Sequence, residues 1–241
     1  MHTSFEQYSD ILLTAYQNSV RADDLATKKT EILNEIFHHY NITSDDILFV
    51  GFSPGILKIV NCNIYVTQVS KSVRDFLDKS NVSYTYIDFD TIGNKSFPTA
   101  VAFDEYFTFA REDTEQRELV DRLIGIVTGH IITTLKDYKN QDYREKEFSY
   151  PVMIKNNEDP KIFFEHYQSD QTDRNLSKST IYIVDNEGVT LIGPIDRRTM
   201  FFKQLAKFSL DAGAKNFLVH KNLMYKSTIK KNYEHIITIE I

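Results

Sequence analysis

The spacing of apolar residues predicts a chain in which helices and strands alternate. Two N-terminal segments repeat apolar residues at helical spacing and predict a helical cap over residues 1–45. Runs rich in β-branched and aromatic residues, bounded by turn-forming residues, predict strands. Three helices are predicted beyond the cap: one that begins after Ser70 or Ser72, one over residues 112–127, and one that ends at Gly213. The predicted strands lie at 47–50, 59–69, 82–90, 99–107, 130–135, 181–184, 215–227 and 233–241.

This alternation predicts the fold class. Strands that alternate with helices form β-α-β units, and hence a parallel sheet with helices on its faces. We expect an α/β fold, a three-layer α/β/α Rossmann-like sandwich, as a single domain over residues 1–241. The last two strands are joined by a lysine-rich turn, which predicts an antiparallel C-terminal pair at one sheet edge. Residues 138–180 are charged and aromatic, and we interpret them as an irregular insertion or a lid; for the segment that follows the fifth strand, a solvated hairpin with ordinary aromatic packing is the alternative.

Composition excludes several classes of protein. Hydrophobic residues make up 41% of the chain and charged residues 26%, a balance typical of globular domains rather than disordered chains. The net charge of -6 argues against broad binding to nucleic acid, which needs clustered Lys and Arg. The single cysteine, Cys62, excludes an internal disulfide framework and any multi-cysteine metal site. The sequence has no secretory signal and no apolar run that would span a bilayer, so we expect a cytoplasmic protein.

The stretch GFSPG, residues 51–55, follows the first predicted strand and has two interpretations. As G-x-S-x-G it matches the turn that carries the nucleophilic serine of many hydrolases, which needs the next backbone N–H in its oxyanion hole. The next residue here is Pro54, which has no N–H, so a hydrolase is disfavoured. As a glycine-containing turn, the stretch suits a cofactor loop, because Gly51 permits a sharp turn and Gly55 permits close backbone approach.

The order of elements around this loop resembles that of the class I S-adenosylmethionine-dependent methyltransferases. The resemblance covers roughly residues 20–241, and LAKFSLDAGAKNFLVHKNLMYK is similar to the family's closing helix, glycine turn and edge strand. It implies S-adenosylmethionine as the cofactor. The residues that it implies in cofactor binding are Gly51, Ser53 and Gly55 in the loop, Gln68 at the end of the second strand, and Asp88 and Asp90 at the end of the third.

The same resemblance implies that the methyl acceptor lies near the end of the fourth strand. AFDEYF offers Asp104 and Tyr106 as catalytic residues, a base being needed only where the acceptor loses a proton. We interpret Glu105 as structural. The predicted substrate contacts are Lys136, Tyr138 and Asn140, after the fifth strand. The sequence does not show whether the acceptor is a small molecule or a macromolecule, and it does not identify the oligomeric state.

The chain departs from the family pattern at Phe49, where an acidic residue is usual, at Ser53, which replaces the middle glycine, and at Gln68, which replaces the ribose-binding acid. The alternative is therefore a catalytically inactive relative that serves as a binding or regulatory protein. DEYF lacks the Asp-Pro-Pro-aromatic signature of amino-directed DNA methyltransferases, and the chain lacks the Pro-Cys nucleophile of cytosine-C5 enzymes, so those DNA targets are not expected. The histidines show no metal-binding spacing, and we expect no metal.

Overall fold

The computed structural model describes residues 4–19, 21–42, 46–136, 151–154, 160–173, 175–226 and 233–241. Its α-helices are α1 (Ser4–Gln17), α2 (Ala22–His39), α3 (Lys71–Lys79), α4 (Asp113–Ile126) and α5 (Phe202–Asp211). Its strands are β1 (Asp46–Val50), β2 (Asn63–Thr67), β3 (Tyr84–Tyr86), β4 (Phe97–Ala102), β5 (Val127–Leu135), β6 (Val152–Ile154), β7 (Lys161–Ser169), β8 (Leu176–Asp185), β9 (Gly188–Arg198), β10 (Asn216–Lys226) and β11 (Tyr233–Glu240).

The main sheet has seven strands in the order β10-β11-β5-β4-β1-β2-β3. Strands β1 to β5 pair in parallel, whereas β11 runs antiparallel to both β5 and β10. Central strands are buried: Leu48 of β1 is paired with Ala100 of β4, and neither side chain is exposed. The predicted fold class, a three-layer α/β/α sandwich with a mostly parallel sheet and an antiparallel C-terminal pair, is therefore confirmed.

The helices form where the sequence supplies both a start signal and an apolar face. The α3 helix begins after Ser70, whose hydroxyl accepts a hydrogen bond from the Val73 amide and so caps the helix. The α4 helix carries Asp113 and Glu115 in its first turn, where negative charge stabilises the helix dipole. Its last residue, Ile126, is followed directly by β5. Both predicted N-terminal helices are present as α1 and α2.

A second sheet of four antiparallel strands, β6-β7-β8-β9, lies in the chain between β5 and α5. The interpretation of residues 138–180 as irregular is wrong for the described part of that range, which contributes β6, β7 and the first half of β8. The short strand predicted at 181–184 is the second half of β8, and β9 was not predicted. Gly188, Gly193 and Pro194 interrupt the β9 sequence, and such residues argue against a strand when only the sequence is read.

Several predicted boundaries also change at the carboxyl ends of strands. The strand predicted at 82–90 ends at Tyr86, and the strand predicted at 99–107 ends at Ala102. The end of GFSPG forms, with the two residues after it, a single 3₁₀ turn at Pro54–Leu57. Within the described ranges, no helix combines the length and apolarity that crossing a membrane requires.

Candidate active site

The strand order of the main sheet switches at β1. After β1 the strands are added outward as β2 and β3, and the chain then returns to place β4 on the other side of β1. In open α/β sheets, ligands bind outside the carboxyl ends of strands at such a switch in strand order. The loops after β1, β2 and β4, together with Lys136 after β5, meet at this edge and contain most of the predicted site residues.

The glycine turn after β1 lies under the N-terminal helix. Gly51 has a φ of +78°, a left-handed conformation that favours glycine, and its amide donates to the Thr67 carbonyl at 2.9 Å. A Cβ at this position would overlap the Phe5 ring and lie 2.9 Å from Ser9 Oγ. The next amide, that of Phe52, donates to Ser9 Oγ at 3.2 Å. Helix α1 therefore fills the space in front of the turn.

The second glycine of the loop has a different environment. A Cβ at Gly55 would lie 3.3 Å from Leu33 Cδ1 and 3.3 Å from the carbonyl carbon of Lys29, both on α2. The hydroxyl of Thr30 donates to the Gly55 carbonyl at 2.9 Å. Gly55 thus allows close packing of the 3₁₀ turn against α2, and its contact with a cofactor stays a prediction.

Four buried side-chain oxygens gather at the ends of β1, β2 and β4 without a hydrogen-bond partner among the described residues. Gln68 adopts a φ of +51°. Its side-chain amide lies near the Tyr106 hydroxyl, but neither Gln68 Oε1 nor the Tyr106 hydroxyl oxygen makes a hydrogen bond of normal geometry. Burial raises the pKa of Tyr106, so the hydroxyl keeps its proton. A buried polar group without a partner costs about 1–3 kcal/mol. We call these four residues the polar set: Ser53, Thr67, Gln68 and Tyr106.

The two predicted acids after β3 lie elsewhere. Asp88 and Asp90 are both exposed. The Asp88 carboxylate accepts a hydrogen bond from the Asp90 amide at 3.1 Å and caps the 3₁₀ turn at Phe89–Thr91. Arg122 of α4 holds the same turn by donating to the Ile92 carbonyl at 2.7 Å. Neither acid belongs to the polar set, and a contact with adenine stays a prediction.

A second group of buried polar residues, centred on Glu105, lies beyond β4. Its carboxylate is 1% exposed and pairs with Lys136 Nζ at 2.5 Å and with Arg197 Nη2 at 3.1 Å. Asp104 and Glu105 have φ values of +56° and +60°, which L-residues rarely adopt in succession. Backbone strain of this kind is common at functional sites. The interpretation of Glu105 as merely structural overlooked its central place among these charges.

Strand β11 brings a third carboxyl group to the same place. Thr134 of β5 donates to Glu234 Oε2 at 2.6 Å and accepts a hydrogen bond from the Glu105 amide at 3.3 Å. Burial, together with the charges of Glu105 and Asp104, raises the pKa of Glu234 to about 8. Lys29 of α2 is also buried, and desolvation lowers its pKa to about 8, although Asp104 and Glu234 favour its charged form.

The inserted sheet supplies the remaining wall. Arg197 of β9 reaches Glu105 and lies 4.1 Å from the centre of the Phe109 ring and 5.2 Å from that of Tyr8. Glu165 of β7 accepts hydrogen bonds from Ser179 and, at 2.6 Å, from Tyr167. We call the seven buried charged residues of this region the ion cluster: Lys29, Asp104, Glu105, Lys136, Glu165, Arg197 and Glu234.

The structure brings together only some of the residues predicted from sequence. Ser53, Gln68 and Tyr106 belong to the polar set, and Asp104 and Lys136 belong to the ion cluster. Tyr138 and Asn140 lie outside the described residues, so their contact with a substrate stays a prediction. Among the residues that are described, no group of three or more His, Cys, Asp and Glu side chains is arranged to hold a metal ion.

Sequence reasoning missed several members of the two groups. Glu234 opens the otherwise apolar strand EHIITIEI, and an acid on the same face as Ile236 was the one available signal. Glu165 and Arg197 lie in strands of the inserted sheet, for which no pattern indicated that they face the main site. Thr67 ends β2 beside Gln68, but threonine is common in strands and carries little information on function.

Comparisons with known proteins agree with this architecture. No protein-family model matches the sequence, and no curated protein matches it. Among solved structures, an S-adenosylmethionine-dependent methyltransferase from Clostridium acetobutylicum is similar, with a TM-score of 0.66 at 12% identity over 96% of this chain and 98% of that one.

Two further similar structures are those of sugar methyltransferases. CalS10, an amino pentose methyltransferase from Micromonospora echinaspora, has a TM-score of 0.60 at 7% identity over 88% of this chain and 90% of its own. KedS8, a sugar N-methyltransferase from Streptoalloteichus, has a TM-score of 0.61 at 10% identity over 87% and 85%. The chain therefore has the class I methyltransferase-like fold, at low sequence identity to these proteins.

Proposed function

We propose that the protein is an S-adenosylmethionine-dependent methyltransferase whose acceptor reacts beside the ion cluster. The observation that carries the proposal is the polar set: four buried oxygens, unpaired among the described residues, lie where this fold binds its ligands. Native proteins pair nearly all buried polar groups, so several orphans at one place call for a ligand. Tyr106, predicted as catalytic, is assigned in this proposal to cofactor binding instead.

The residues present fit the polar part of such a cofactor. Thr67 ends β2 and Gln68 follows it, where hydrogen bonds to ribose hydroxyls would be made, and Tyr106 would donate from the segment after β4. S-adenosylmethionine supplies, when bound, a methyl group on a positively charged sulfur. Phe49 is 1% exposed and contributes apolar packing, so this position brings no charge to the cofactor.

The ion cluster would serve the acceptor side. Lys136 and Arg197 hold Glu105 in one position, since two cations share its carboxylate. The cluster is closed to water by burial, which strengthens every electrostatic interaction within it. Catalysis of methyl transfer is mostly positioning, and a rigid, charged wall provides it.

Calorimetric titration with S-adenosylmethionine and S-adenosylhomocysteine tests the proposal. The decisive variant is Tyr106→Phe, because the lost hydroxyl makes no hydrogen bond of normal geometry among the described residues and has only the Gln68 amide nearby. We expect affinity for both ligands to fall by about 5- to 10-fold, while the stability of the free protein stays equal or rises. The control is Tyr84→Phe on β3, whose hydroxyl donates to the Arg74 carbonyl at 3.2 Å; it should leave affinity unchanged.

Two results would count against the proposal. If a folded wild-type protein binds neither ligand, it does not use this cofactor. If Tyr106→Phe and Tyr84→Phe have the same affinity as the wild type, the polar set is not the cofactor site.

The second candidate function is a binding or regulatory protein that has the fold but no catalysis. The contact of Phe5 and Ser9 with the glycine turn favours it, since a ligand that touches the Gly51 backbone requires α1 to move. This candidate predicts no heat of binding with either ligand, even for a variant in which α1 is weakened by Phe5→Ala.

A further inference from the structure

The carboxyl groups of the ion cluster are unequal in their partners. Glu105 pairs with two cations, Lys136 and Arg197. Glu234 accepts a hydrogen bond from the neutral Thr134 hydroxyl, and within the described part of the chain it forms no salt bridge. Two neighbouring carboxyl groups in such different surroundings are the usual arrangement of a fixed anion beside a group that exchanges a proton.

The charges that face Glu234 come from three parts of the fold. Asp104 and Glu105 follow β4, Lys136 follows β5, and Lys29 projects from α2. Tyr8 of α1 is also near, and burial raises its pKa, so it remains neutral. A negative charge on Glu234 is therefore opposed by two carboxylates, which agrees with its raised pKa.

The acids of the ion cluster outnumber its cations. Asp104, Glu105, Glu165 and Glu234 face Lys29, Lys136 and Arg197, so ionisation of all seven residues leaves one negative charge. Protonation of Glu234 removes that charge. A ligand that brings a positive charge into the cluster would instead stabilise the ionised Glu234 and release its proton.

We propose that Glu234 gives up its proton when a positive charge enters the ion cluster, and that it then takes the proton that the acceptor loses on methylation. The inference rests on the proposed function. It implies an acceptor whose reacting atom carries a proton, an amine or a hydroxyl. As the acceptor atom forms its bond to the methyl carbon, the carbon–sulfur bond breaks with its electron pair left on sulfur, and the proton of the acceptor passes to the Glu234 carboxylate.

Proton release on binding tests this role without an acceptor. The two ligands S-adenosylmethionine and S-adenosylhomocysteine differ in the positive charge on sulfur, so the difference between them isolates the effect of that charge. Titrations at pH 7 in phosphate and in Tris, which differ in ionisation enthalpy, give the number of protons released. For the wild type we expect roughly 0.5–0.9 more protons released with the sulfonium ligand, because Glu234 is mostly protonated at that pH.

The variant Glu234→Gln should abolish this difference while both ligands still bind. The matched control is Glu240→Gln, the same substitution at the other end of β11, which should keep it. The wild type alone gives a second readout: the ratio of its affinity for the sulfonium ligand to that for S-adenosylhomocysteine should rise about three- to eightfold per pH unit near pH 7, which corresponds to the release of roughly 0.5–0.9 protons. This readout remains if Glu234→Gln does not fold.

The outcomes separate the two proposals. Equal proton release with both ligands, or a difference that survives in Glu234→Gln, overturns the role of Glu234 and leaves the methyltransferase proposal intact. If the folded protein binds neither ligand, both proposals are overturned.

Discussion

Replacement of Glu234 by glutamine should change how stability depends on pH. In the folded protein the pKa of this carboxyl is raised from 4.5 to about 8, first by burial and then by Glu105 and Asp104. In the unfolded chain the group ionises near its ordinary pKa. Between these two values the folded state therefore holds one proton more than the unfolded state, and the stability that this proton contributes is lost as the pH rises toward 8.

The magnitude follows from the linkage relation. One bound proton corresponds to about 1.4 kcal/mol of unfolding free energy per pH unit. From pH 6 to pH 8 the wild type should lose about 2 kcal/mol relative to Glu234→Gln, because the effect weakens as the carboxyl begins to ionise in the folded state. Glutamine keeps an oxygen that accepts the Thr134 hydrogen bond but does not titrate. His130 and His220, whose pKa values are lowered by burial, titrate equally in both proteins and cancel.

Urea unfolding followed by circular dichroism at pH 6, 7 and 8 measures this difference. The slope of free energy against urea should be the same in both proteins, so that the midpoints report stability alone. Glu240→Gln should keep most of the wild-type loss between pH 6 and pH 8; the remaining change arises because Glu240 favours the charged form of His130, and its removal lowers the pKa of that histidine further. A difference between the wild type and Glu234→Gln that is constant from pH 6 to pH 8 would refute the assignment of a raised pKa to this group.

Two further predictions concern the walls of the site. Gly51→Ala should lower the free energy of unfolding by roughly 2–4 kcal/mol, because of left-handed strain and overlap with α1. Gly213 has a φ of +101° and open space around it, so Gly213→Ala should lower that free energy by only about 1–2 kcal/mol. Equal losses in urea unfolding would contradict the packing of α1 on the turn. Arg197→Gln removes one of the two cations that the described residues place on Glu105, and it should destabilise the protein by about 2–3 kcal/mol. Arg111→Gln removes an exposed ion pair and should change stability by no more than about 0.5 kcal/mol. Similar values for both variants in thermal unfolding would contradict the buried pairing.

The main sheet was largely predictable because its strands and helices follow strong local patterns. ILFV is apolar on both faces and becomes β1, an inner strand of the main sheet, and the acidic first turn of α4 marks the start of that helix. The ends of strands were less predictable. VSYTYIDFD continues a strand pattern to Asp90, yet pairing with β2 stops at Tyr86. Local pattern identifies an element, whereas the neighbouring strand decides where the element ends.

The site was predictable only where the chain passes it directly after a strand of the main sheet. Asp104 and Lys136 follow β4 and β5, and their place among the candidates needed only the rule on strand ends. Glu165, Arg197 and Glu234 reach the same region through the inserted sheet and through the reversed strand β11. Their approach depends on contacts between residues far apart in the chain, which periodicity does not encode.

A crystal structure of the protein with S-adenosylhomocysteine would test the central claim most directly. We expect the ligand to lie at the carboxyl ends of β1, β2 and β4, with hydrogen bonds from Gln68, Thr67 and Tyr106. Phe5 should be displaced from Gly51. A ligand bound elsewhere on the chain, or crystals that remain free of it at saturating concentration, would contradict the assignment of the polar set as a cofactor site.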